Sequence, residues 1–337
     1  MPDALPSVTV VIPVFDEATT IDACLESIAD QDYRGDWGVV IADGGSTDGT
    51  LDRLDRWARS DGRWRVIHNP LRRQSPGLNL AVAAASGEVI VRMDAHSRYD
   101  RDYVTRSVGA LLETDAVAVG GPIRPRAAGG FARAVAAAMR IPLMTGPGRF
   151  HREDHRGFVD TVYLGAFRRA DFVEIGGLRS FPSGAGEDAD LYWRWRRVGR
   201  GVWMDPTIRS DYRPRRSPRT LFRQYFRYGQ AKAEMLWANG IWSSWRPLAP
   251  ALLIVGLVVG GVLWASGGSP WPFGLLVLLW IGALVLAAAH AGWPGPRLLV
   301  EVAGGVMHLS YGLGLWWGVT RGPWPVRRRL RTVQPPW

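Results

Sequence analysis

The chain has 337 residues and a formal net charge of +10, and its composition changes near residue 246. Charged and apolar residues are mixed before that point, whereas Arg297 and Glu301 are the only charged residues between Leu248 and Thr320. A chain of this length exceeds what one hydrophobic core usually holds, so we predict a large domain followed by an apolar region. A single cysteine excludes an intrachain disulfide and a multi-cysteine zinc site.

The basic residues indicate a membrane partner and no nucleic acid. Lys232 is the only lysine, so 40 of the 41 basic residues are arginines. They are concentrated on both sides of the apolar region, at Arg213, Arg215, Arg216, Arg219, Arg223 and Arg227, and at Arg327, Arg328, Arg329 and Arg331. Such clusters suit anionic lipid headgroups better than a duplex groove. Residues 1–7 do not resemble a secretory signal, so we expect the apolar region to provide membrane delivery.

Strands and helices alternate through the first hundred residues. Apolar β-branched runs predict strands, and apolar residues three or four positions apart predict helices. The predicted strands are 8–14, 37–42, 65–68 and 88–93, and the predicted helices are 20–30, 50–59 and 77–85. This alternation predicts an α/β domain with a Rossmann-like, mostly parallel sheet.

Acidic residues follow three of the predicted strands. Asp16 follows the first strand, Asp43 follows the second, and Asp94 follows the fourth. Ligands bind beyond the carboxyl ends of parallel strands, so we predict that these side chains converge on one edge of the sheet. Each aspartate could instead cap a following helix, an interpretation that suits Asp48 best.

A second pair of carboxylates lies further along the chain. Glu187 and Asp188 begin a predicted helix that has apolar residues at Leu191, Trp195 and Val198. Acidic residues in this position favour the helix dipole, and they are also candidates for catalysis. The sequence leaves both interpretations open.

Three apolar stretches, at 248–266, 273–291 and 298–320, are each about long enough to cross a hydrocarbon core of ~30 Å. Three crossings would place the C-terminus on the opposite side of the membrane from the N-terminal domain. Five arginines follow residue 320, however, and positively charged segments next to a membrane helix are usually cytoplasmic. Two to three membrane segments are therefore predicted, and the third stretch is the best candidate for a re-entrant or interfacial segment. Its Glu301 and His308 either form packing hydrogen bonds or face a wet cavity.

Four motifs in order resemble the family-2 glycosyltransferases, which have the glycosyltransferase-A fold. The resemblance covers roughly residues 8–229. The first strand, with Pro13 and the ending Asp16-Glu17, is similar to the family's strand that ends in Tyr-Asn-Glu. The turn at 43–50, which begins Asp43-Gly44, is similar to the family's Asp-Gly-Ser-Thr-Asp-Gly-Thr turn and is the most specific of the four.

The third motif, Met93-Asp94-Ala95-His96, stands where the family has its Asp-X-Asp metal motif. The resemblance therefore implies a divalent cation, Mn²⁺ or Mg²⁺, with Asp94 and His96 as ligands. Imidazole suits manganese better than magnesium, so the histidine affects the choice of metal. The Asp-Ala-His version resembles the branch that acts in bacterial exopolysaccharide assembly, such as succinoglycan glucosyltransferases.

The fourth motif, Glu187-Asp188, is similar to the family's Glu-Asp pair, whose aspartate is taken as the general base. Beyond it, Gln224, Arg227 and Tyr228 are similar to the Gln-X-X-Arg-Trp motif of processive synthases, with tyrosine in the last place. An aromatic ring there can still stack on a sugar. Processivity does not follow, because the chain lacks the larger transmembrane pore of those synthases.

The resemblance implies an inverting, metal-dependent hexosyltransferase. Asp188 would take a proton from the acceptor, with Glu187 beside it, and the cation would stabilise the leaving diphosphate. The expected donor is a uridine-diphosphate hexose, and the expected acceptor is a hydroxyl of an undecaprenyl-diphosphate-linked saccharide at the cytoplasmic face of the inner membrane. The implied substrate-binding residues are Pro13, Asp16, Glu17, Asp43, Gly44, Asp94, Gln224, Arg227 and Tyr228.

We predict a catalytic domain at 1–215, interfacial amphipathic helices at 216–246, a transmembrane region at 247–320 and a basic tail at 321–337. One alternative function is a polyprenyl-phosphate sugar synthase, whose phosphate acceptor needs no general base. Another is a non-catalytic membrane scaffold. A sugar nucleotidyltransferase should carry a glycine-rich loop after the first strand, and residues 15–19 contain no glycine.

Overall fold

The computed structural model describes residues 5–146, 148–242, 245, 247–290 and 295–337. The predicted region boundary at residue 246 and the predicted end of the second apolar stretch at residue 291 lie outside these ranges. The strands are β1 (Val8–Val14), β2 (Trp37–Asp43), β3 (Trp64–His68), β4 (Val89–Arg92), β5 (Arg98–Tyr99), β6 (Ala118–Gly121), β7 (Arg124–Pro125), β8 (Gly157–Val159), β9 (Tyr163–Arg168), β10 (Val202–Met204) and β11 (Ser210–Tyr212).

The helices alternate with these strands and then dominate the C-terminal third. They are α1 (Ile21–Ala29), α2 (Thr50–Ser60), α3 (Gln74–Ala83), α4 (Tyr103–Glu113), α5 (Gly130–Met139), α6 (Pro142–Thr145), α7 (Arg169–Glu174), α8 (Glu187–Arg197), α9 (Pro218–Asn239), α10 (Leu248–Ala265), α11 (Trp271–Ala289), α12 (Arg297–Thr320) and α13 (Trp324–Thr332). A short 3₁₀ helix lies at Arg149–His151.

In the described ranges, eight strands form one sheet in the order β3-β2-β1-β4-β9-β6-β10-β8. Neighbours from β3 to β4 are parallel, β10 is parallel to β6, and β9 runs antiparallel between β4 and β6. The predicted mostly parallel α/β sheet is confirmed. Strands β5, β11 and β7 form a separate small sheet.

The large sheet separates two hydrophobic cores, and alternation along β4 shows which face each side chain joins. Val89 and Val91 pack in the core that contains α1 and α4, whereas Ile90 packs in the core that contains α3 and α8. Because side chains alternate across a strand, Arg92 lies on the same face as Ile90. The central strands are buried on both faces, which explains their continuous apolar sequences.

In the part of the chain that the structure describes, the helices α10, α11 and α12 are long and apolar enough to cross a membrane. They differ in burial: 6% of the apolar window of α10, 11% of that of α11 and 50% of that of α12 lie inside the protein. Helix α12 packs along α9, and the predicted helices of 216–246 are a single helix, α9, in the described part of that range. Gly229 lies inside α9 without interrupting the helix.

The C-terminal segment returns to the α/β domain. Val326 of α13 is buried against Phe181 and Met235, and Arg329 Nε donates to Ser180 Oγ at 3.4 Å. The ring of Trp337 lies 5.7 Å from that of Phe172, centroid to centroid. The C-terminal segment therefore packs against the α/β domain.

His308 of α12 forms hydrogen bonds to residues of α11 and α6. Its Nδ1 accepts a hydrogen bond from Trp280 Nε1 at 3.2 Å, and its Nε2 donates to the carbonyl of Leu143 at 2.9 Å. Both ring nitrogens therefore form packing hydrogen bonds. Glu301 is half-buried on the same helix.

The contact between α9 and α12 predicts a measurable effect on stability. A Cβ at Gly314 would lie 2.0 Å from the carbonyl oxygen of Phe226. Gly314→Ala should therefore destabilise the protein by about 1–3 kcal/mol, because two backbones must separate. Gly282→Ala on α11 is the matched control, since a Cβ there meets no atom within 4 Å, and it should be neutral or stabilise by up to about 1 kcal/mol. Equal thermal midpoints of the two variants in detergent would contradict this packing.

Candidate active site

The turn after β2 is organised by Asp43. Its Oδ2 accepts hydrogen bonds from the backbone N–H of Gly45 at 2.8 Å and of Ser46 at 3.0 Å, and its Oδ1 accepts from Ser46 Oγ at 2.6 Å. The Asp43 side chain is buried. It shapes the turn by satisfying backbone donors that would otherwise lack partners.

This turn is bonded to the loop after β1. Ser46 Oγ accepts from the N–H of Asp16 at 2.9 Å, and Asp16 Oδ1 accepts from the N–H of Thr47 at 2.8 Å. Asp48 accepts from the N–H of Thr50, the first residue of α2, at 3.1 Å, although the N-cap position itself is held by Gly49. The first two sequence motifs thus form one interlocked unit.

A cleft of about 150 Å³ lies beside this unit. Six of the residues that line it are Pro13, Glu17, Arg72, Arg73, Asp94 and His96. Four of the predicted site residues are therefore brought together here. Asp16, Asp43 and Gly44 lie in the adjoining turns and do not line the cleft. Gly44 allows Phe15 to pack closely, because a Cβ at this position would lie 2.9 Å from the Phe15 ring.

Glu17, Asp94 and His96 are the acidic and histidine side chains that line the cleft. His96 Nδ1 lies 3.2 Å from Glu17 Oε1, and this hydrogen bond raises the pKa of His96 against the effect of burial. Burial would raise the pKa of Glu17, but its bonds to His96 and Thr20 outweigh burial and lower that pKa. Asp94 is buried, and its Oδ1 has no hydrogen-bond partner in the described part of the chain.

No three His, Cys, Asp or Glu side chains converge as a complete metal site within the ranges that the structure describes. Asp94 and His96 nevertheless both line the cleft, and His96 keeps Nε2 outside its bond to Glu17. Mg²⁺ and similar cations often take one or two protein ligands and complete their coordination with substrate phosphates. The residues present therefore fit a cation that binds together with a diphosphate.

Arg72 and Arg73 are cleft residues that sequence reasoning missed. Arg73 also donates through Nη1 to the carbonyls of Phe181 at 3.2 Å and Pro182 at 3.4 Å. It thereby joins the cleft to the loop that leads into α8. Two consecutive arginines, which follow the third predicted strand after a three-residue spacer, were the available signal.

Glu187 and Asp188 form the first turn of α8, after Gly186 with a φ of 80°. Glu187 is buried, and its Oε1 lies 3.7 Å from Arg92 Nη2. Burial and the neighbouring Asp188 charge raise the pKa of Glu187 to about 7, against the opposing effect of Arg92. Arg92 was missed from the sequence, although it is the only charge in the strand Val89–Arg92.

Helix α9 lies against the other side of this pair. A Cβ at Gly186 would lie 2.8 Å from the Cβ of Ala231 on α9. Burial lowers the pKa of Lys232 on the same helix, and the negative charge of Asp188 opposes that shift. Gln224 Nε2 donates to the hydroxyls of Tyr212 and Tyr228, both at 2.9 Å. Arg227 is exposed on the same helix.

The raised pKa of Glu187 predicts a pH-dependent stability. The Glu187 carboxyl has a pKa of about 7 in the folded protein and an ordinary pKa of 4.5. Its contribution to the free energy of unfolding is therefore fully present below pH 4.5 and is lost as the pH rises through 7. Glu187→Gln cannot ionise, so it should gain about 1–3 kcal/mol relative to wild type between pH 5 and pH 8. Unfolding midpoints at both pH values measure this, with the exposed Glu26→Gln as control. A pH-independent difference for Glu187→Gln would contradict it.

Comparison with known proteins places this geometry in a family. Residues 9–176 match the model of glycosyl transferase family 2. The succinoglycan biosynthesis protein ExoA of Rhizobium meliloti (strain 1021) is 34% identical over 315 residues, which are 91% of this chain and 93% of that protein. A dolichyl N-acetyl-alpha-D-glucosaminyl phosphate 3-beta-D-2,3-diacetamido-2,3-dideoxy-beta-D-glucuronosyltransferase of Methanococcus voltae is 24% identical over 267 residues, covering 76% of this chain and 82% of the relative.

Among solved structures, the mannosyltransferase PcManGT from Pyrobaculum calidifontis, in complex with GDP-Man and Mn2+, superposes with a TM-score of 0.64. It is 23% identical, and the match covers 93% of this chain and 90% of that one. This likeness confirms the glycosyltransferase-A fold. With the 34% identity to ExoA over most of both chains, the chain belongs to the family-2 glycosyltransferases.

Proposed function

We propose that this glycosyltransferase moves a hexose from a uridine-diphosphate donor, with inversion, to a hydroxyl of a lipid-linked saccharide. One observation carries the proposal. The guanidinium of Arg92 lies 3.6 Å from Asp94, which lines the cleft, and 3.7 Å from Glu187, which adjoins Asp188. Arg92 therefore lies between Asp94, the proposed donor-side carboxylate, and the residue next to Asp188, the proposed base. A transfer between two substrates requires such groups to lie close together.

In the proposed reaction, the acceptor hydroxyl oxygen attacks C1 of the donor sugar while Asp188 takes its proton. The bond between C1 and the diphosphate oxygen breaks, and the nucleoside diphosphate leaves with the electron pair. A single displacement inverts the anomeric centre. Asp16, Asp43, Pro13 and Gly44 are proposed to shape the nucleoside end of the cleft through their interlocked turns.

Asp94 and His96 are the proposed ligands of a divalent cation, Mn²⁺ or Mg²⁺, with Glu17 orienting His96 through the bond at 3.2 Å. When bound, the cation would neutralise charge on the leaving diphosphate. Arg72 and Arg73 line the same cleft and supply further positive charge. The Mn2+ and GDP-Man of PcManGT support a metal and a nucleotide sugar in this fold.

The acceptor proposal is supported by the relatives. ExoA is named for succinoglycan biosynthesis, and the Methanococcus voltae relative is named for a dolichyl phosphate-linked sugar acceptor. This chain is accordingly a family-2 glycosyltransferase of polysaccharide biosynthesis, and the lipid-linked hydroxyl acceptor is our proposal. Gln224 and Tyr228, which are joined by a hydrogen bond, and the exposed Arg227 are the proposed acceptor-side groups.

Two substitutions separate donor binding from chemistry. Asp94→Ala should abolish Mn²⁺-dependent binding of the donor, whereas Asp188→Asn should keep binding and lose about 100-fold or more in kcat, because it removes the general base. Titration calorimetry and turnover across UDP-hexoses and GDP-mannose measure both effects. The exposed Asp115→Asn is the control and should behave as wild type.

The alternatives give different outcomes in that experiment. Full activity of Asp188→Asn with a polyprenyl phosphate acceptor would indicate a polyprenyl-phosphate sugar synthase. Turnover of GDP-mannose alone would contradict the uridine donor. Absence of binding to every donor, with and without metal, would contradict the enzyme proposal and favour a membrane scaffold.

We propose that the catalytic domain, 1–215, faces the cytoplasm and that α9 lies at the inner-membrane surface in the interfacial region, 216–246. In the membrane region, 247–320, we propose that α10 and α11 cross as a hairpin while α12 remains against the domain. The low burial of α10 and α11 and the half-burial of α12 support this arrangement. The packing of the basic tail, 321–337, on the domain supports an even number of crossings.

The proposed topology can be tested by cysteine labelling. Cys24 is buried and should give little background with a membrane-impermeant maleimide. Ser269→Cys, in the turn between α10 and α11, should label in intact cells, because the hairpin would place it outside. Thr332→Cys, exposed at the end of α13, should label only after permeabilisation. Labelling of Thr332→Cys in intact cells would contradict the hairpin.

A further inference from the structure

Arg92 is a charged residue buried in the middle of the sheet. It ends β4, which lies between β1 and β9, and its side chain is nearly inaccessible to solvent. The three residues before it are Val89, Ile90 and Val91. An apolar residue at this position would avoid the cost of burying a guanidinium, so the arginine requires a reason beyond filling space.

The contacts of Arg92 indicate that reason. Asp94 is two residues after Arg92, just beyond the end of β4, so both side chains lie on the same face of the sheet. Arg92 Nε lies 3.6 Å from Asp94 Oδ1, and Arg92 Nη2 lies 3.7 Å from Glu187 Oε1. Two nitrogens of one rigid guanidinium thus face two carboxylates from different parts of the chain.

These contacts are ion pairs and not saturated hydrogen bonds. Both Arg92 Nε and Asp94 Oδ1 lack a hydrogen-bond partner in the described ranges. Arg92 also borders a small cavity together with Asp188 and Tyr192. The guanidinium therefore neutralises the carboxylates through charge, without a hydrogen bond between Arg92 Nε and Asp94 Oδ1.

We propose that Arg92 is a positioning residue that fixes the separation between Asp94 and Glu187, an inference that rests on the proposed function. Asp94 belongs to the donor cleft, and Glu187 directly precedes the proposed base, Asp188. A single planar side chain that contacts both sets the distance between the leaving diphosphate and the acceptor hydroxyl. Displacing reacting groups by about 1 Å can cost about 100-fold in rate.

A double-mutant cycle at pH 8 tests the coupling, with Arg92→Met, Glu187→Gln and the double variant. Arg92→Met should lower kcat about 100-fold and change the donor KM less than about threefold, because positioning and not binding is lost. If Arg92 acts through Glu187, the double variant should lie within about threefold of Arg92→Met. Effects on kcat that multiply would overturn the proposal.

Arg92→Lys separates geometry from charge. Lysine keeps the positive charge but cannot face two carboxylates with a planar fork, so it should restore only about tenfold of the lost kcat. Full rescue by lysine would show that charge alone suffices and would overturn the positioning role. This variant also serves if Arg92→Met does not fold.

Arg194→Met is the matched control, since Arg194 is a buried arginine on α8 whose Nε donates to Asp190 at 2.9 Å. It should lower the melting temperature yet leave the kcat of the folded protein within about threefold of wild type. The same cycle measured by thermal unfolding gives a readout without activity, and additive shifts in melting temperature would overturn the coupling. Wild-type protein that transfers no sugar would contradict the proposed function, a result distinct from either outcome of the stability cycle.

Discussion

The backbone contact between α9 and α12 connects the membrane region to the candidate active site. At Gly229 and Gly314 the two helices approach so closely that a side chain on either would meet a carbonyl oxygen of the other. Helix α9 in turn holds the loop before α8, because Glu234 accepts hydrogen bonds from the N–H and hydroxyl of Ser183. Gly186, the residue before Glu187, packs directly on Ala231 of α9. The position of Asp188 thus depends on the packing of α9 against α12.

The donor side depends on a different kind of constraint. Asp43 and Ser46 use short side chains to bond backbone groups of their own turn and of the loop after β1. These bonds are local and satisfy donors at strand ends, so they hold the cleft wall with little apolar burial. The proposed acceptor side takes its order from α8, α9 and the returning tail.

Arg92 links these two sides through the sheet. Its charge is buried, but the carboxylates of Asp94 and Glu187 lie within ion-pair distance. Removing Arg92 would leave two buried carboxylates without their cation, so the three residues form one electrostatic unit. Arg73 provides a second link, from the cleft to the carbonyls of Phe181 and Pro182.

The sequence by itself determined the first four strands, the helices between them, the three apolar helices and the order of the four motifs. Those features depend on periodicity and turn chemistry, which neighbouring residues encode. It also indicated Pro13, Glu17, Asp94 and His96, which the fold brings into one cleft. Asp43 and Asp16 were indicated equally well, yet local bonding directs them into the turns beside the cleft.

Only the tertiary structure decided the antiparallel position of β9, the half-burial of α12, the return of the tail and the pairing of Arg92 with Glu187. Each of these joins segments far apart in the chain, and no local pattern records which distant surface a side chain will meet. The sequence already set α12 apart from α10 through Glu301 and His308, but it did not show how deeply either helix is buried. What separates them is that α12 has glycines where α9 and α10 approach, a complementarity of shape that exists only once the helices are packed.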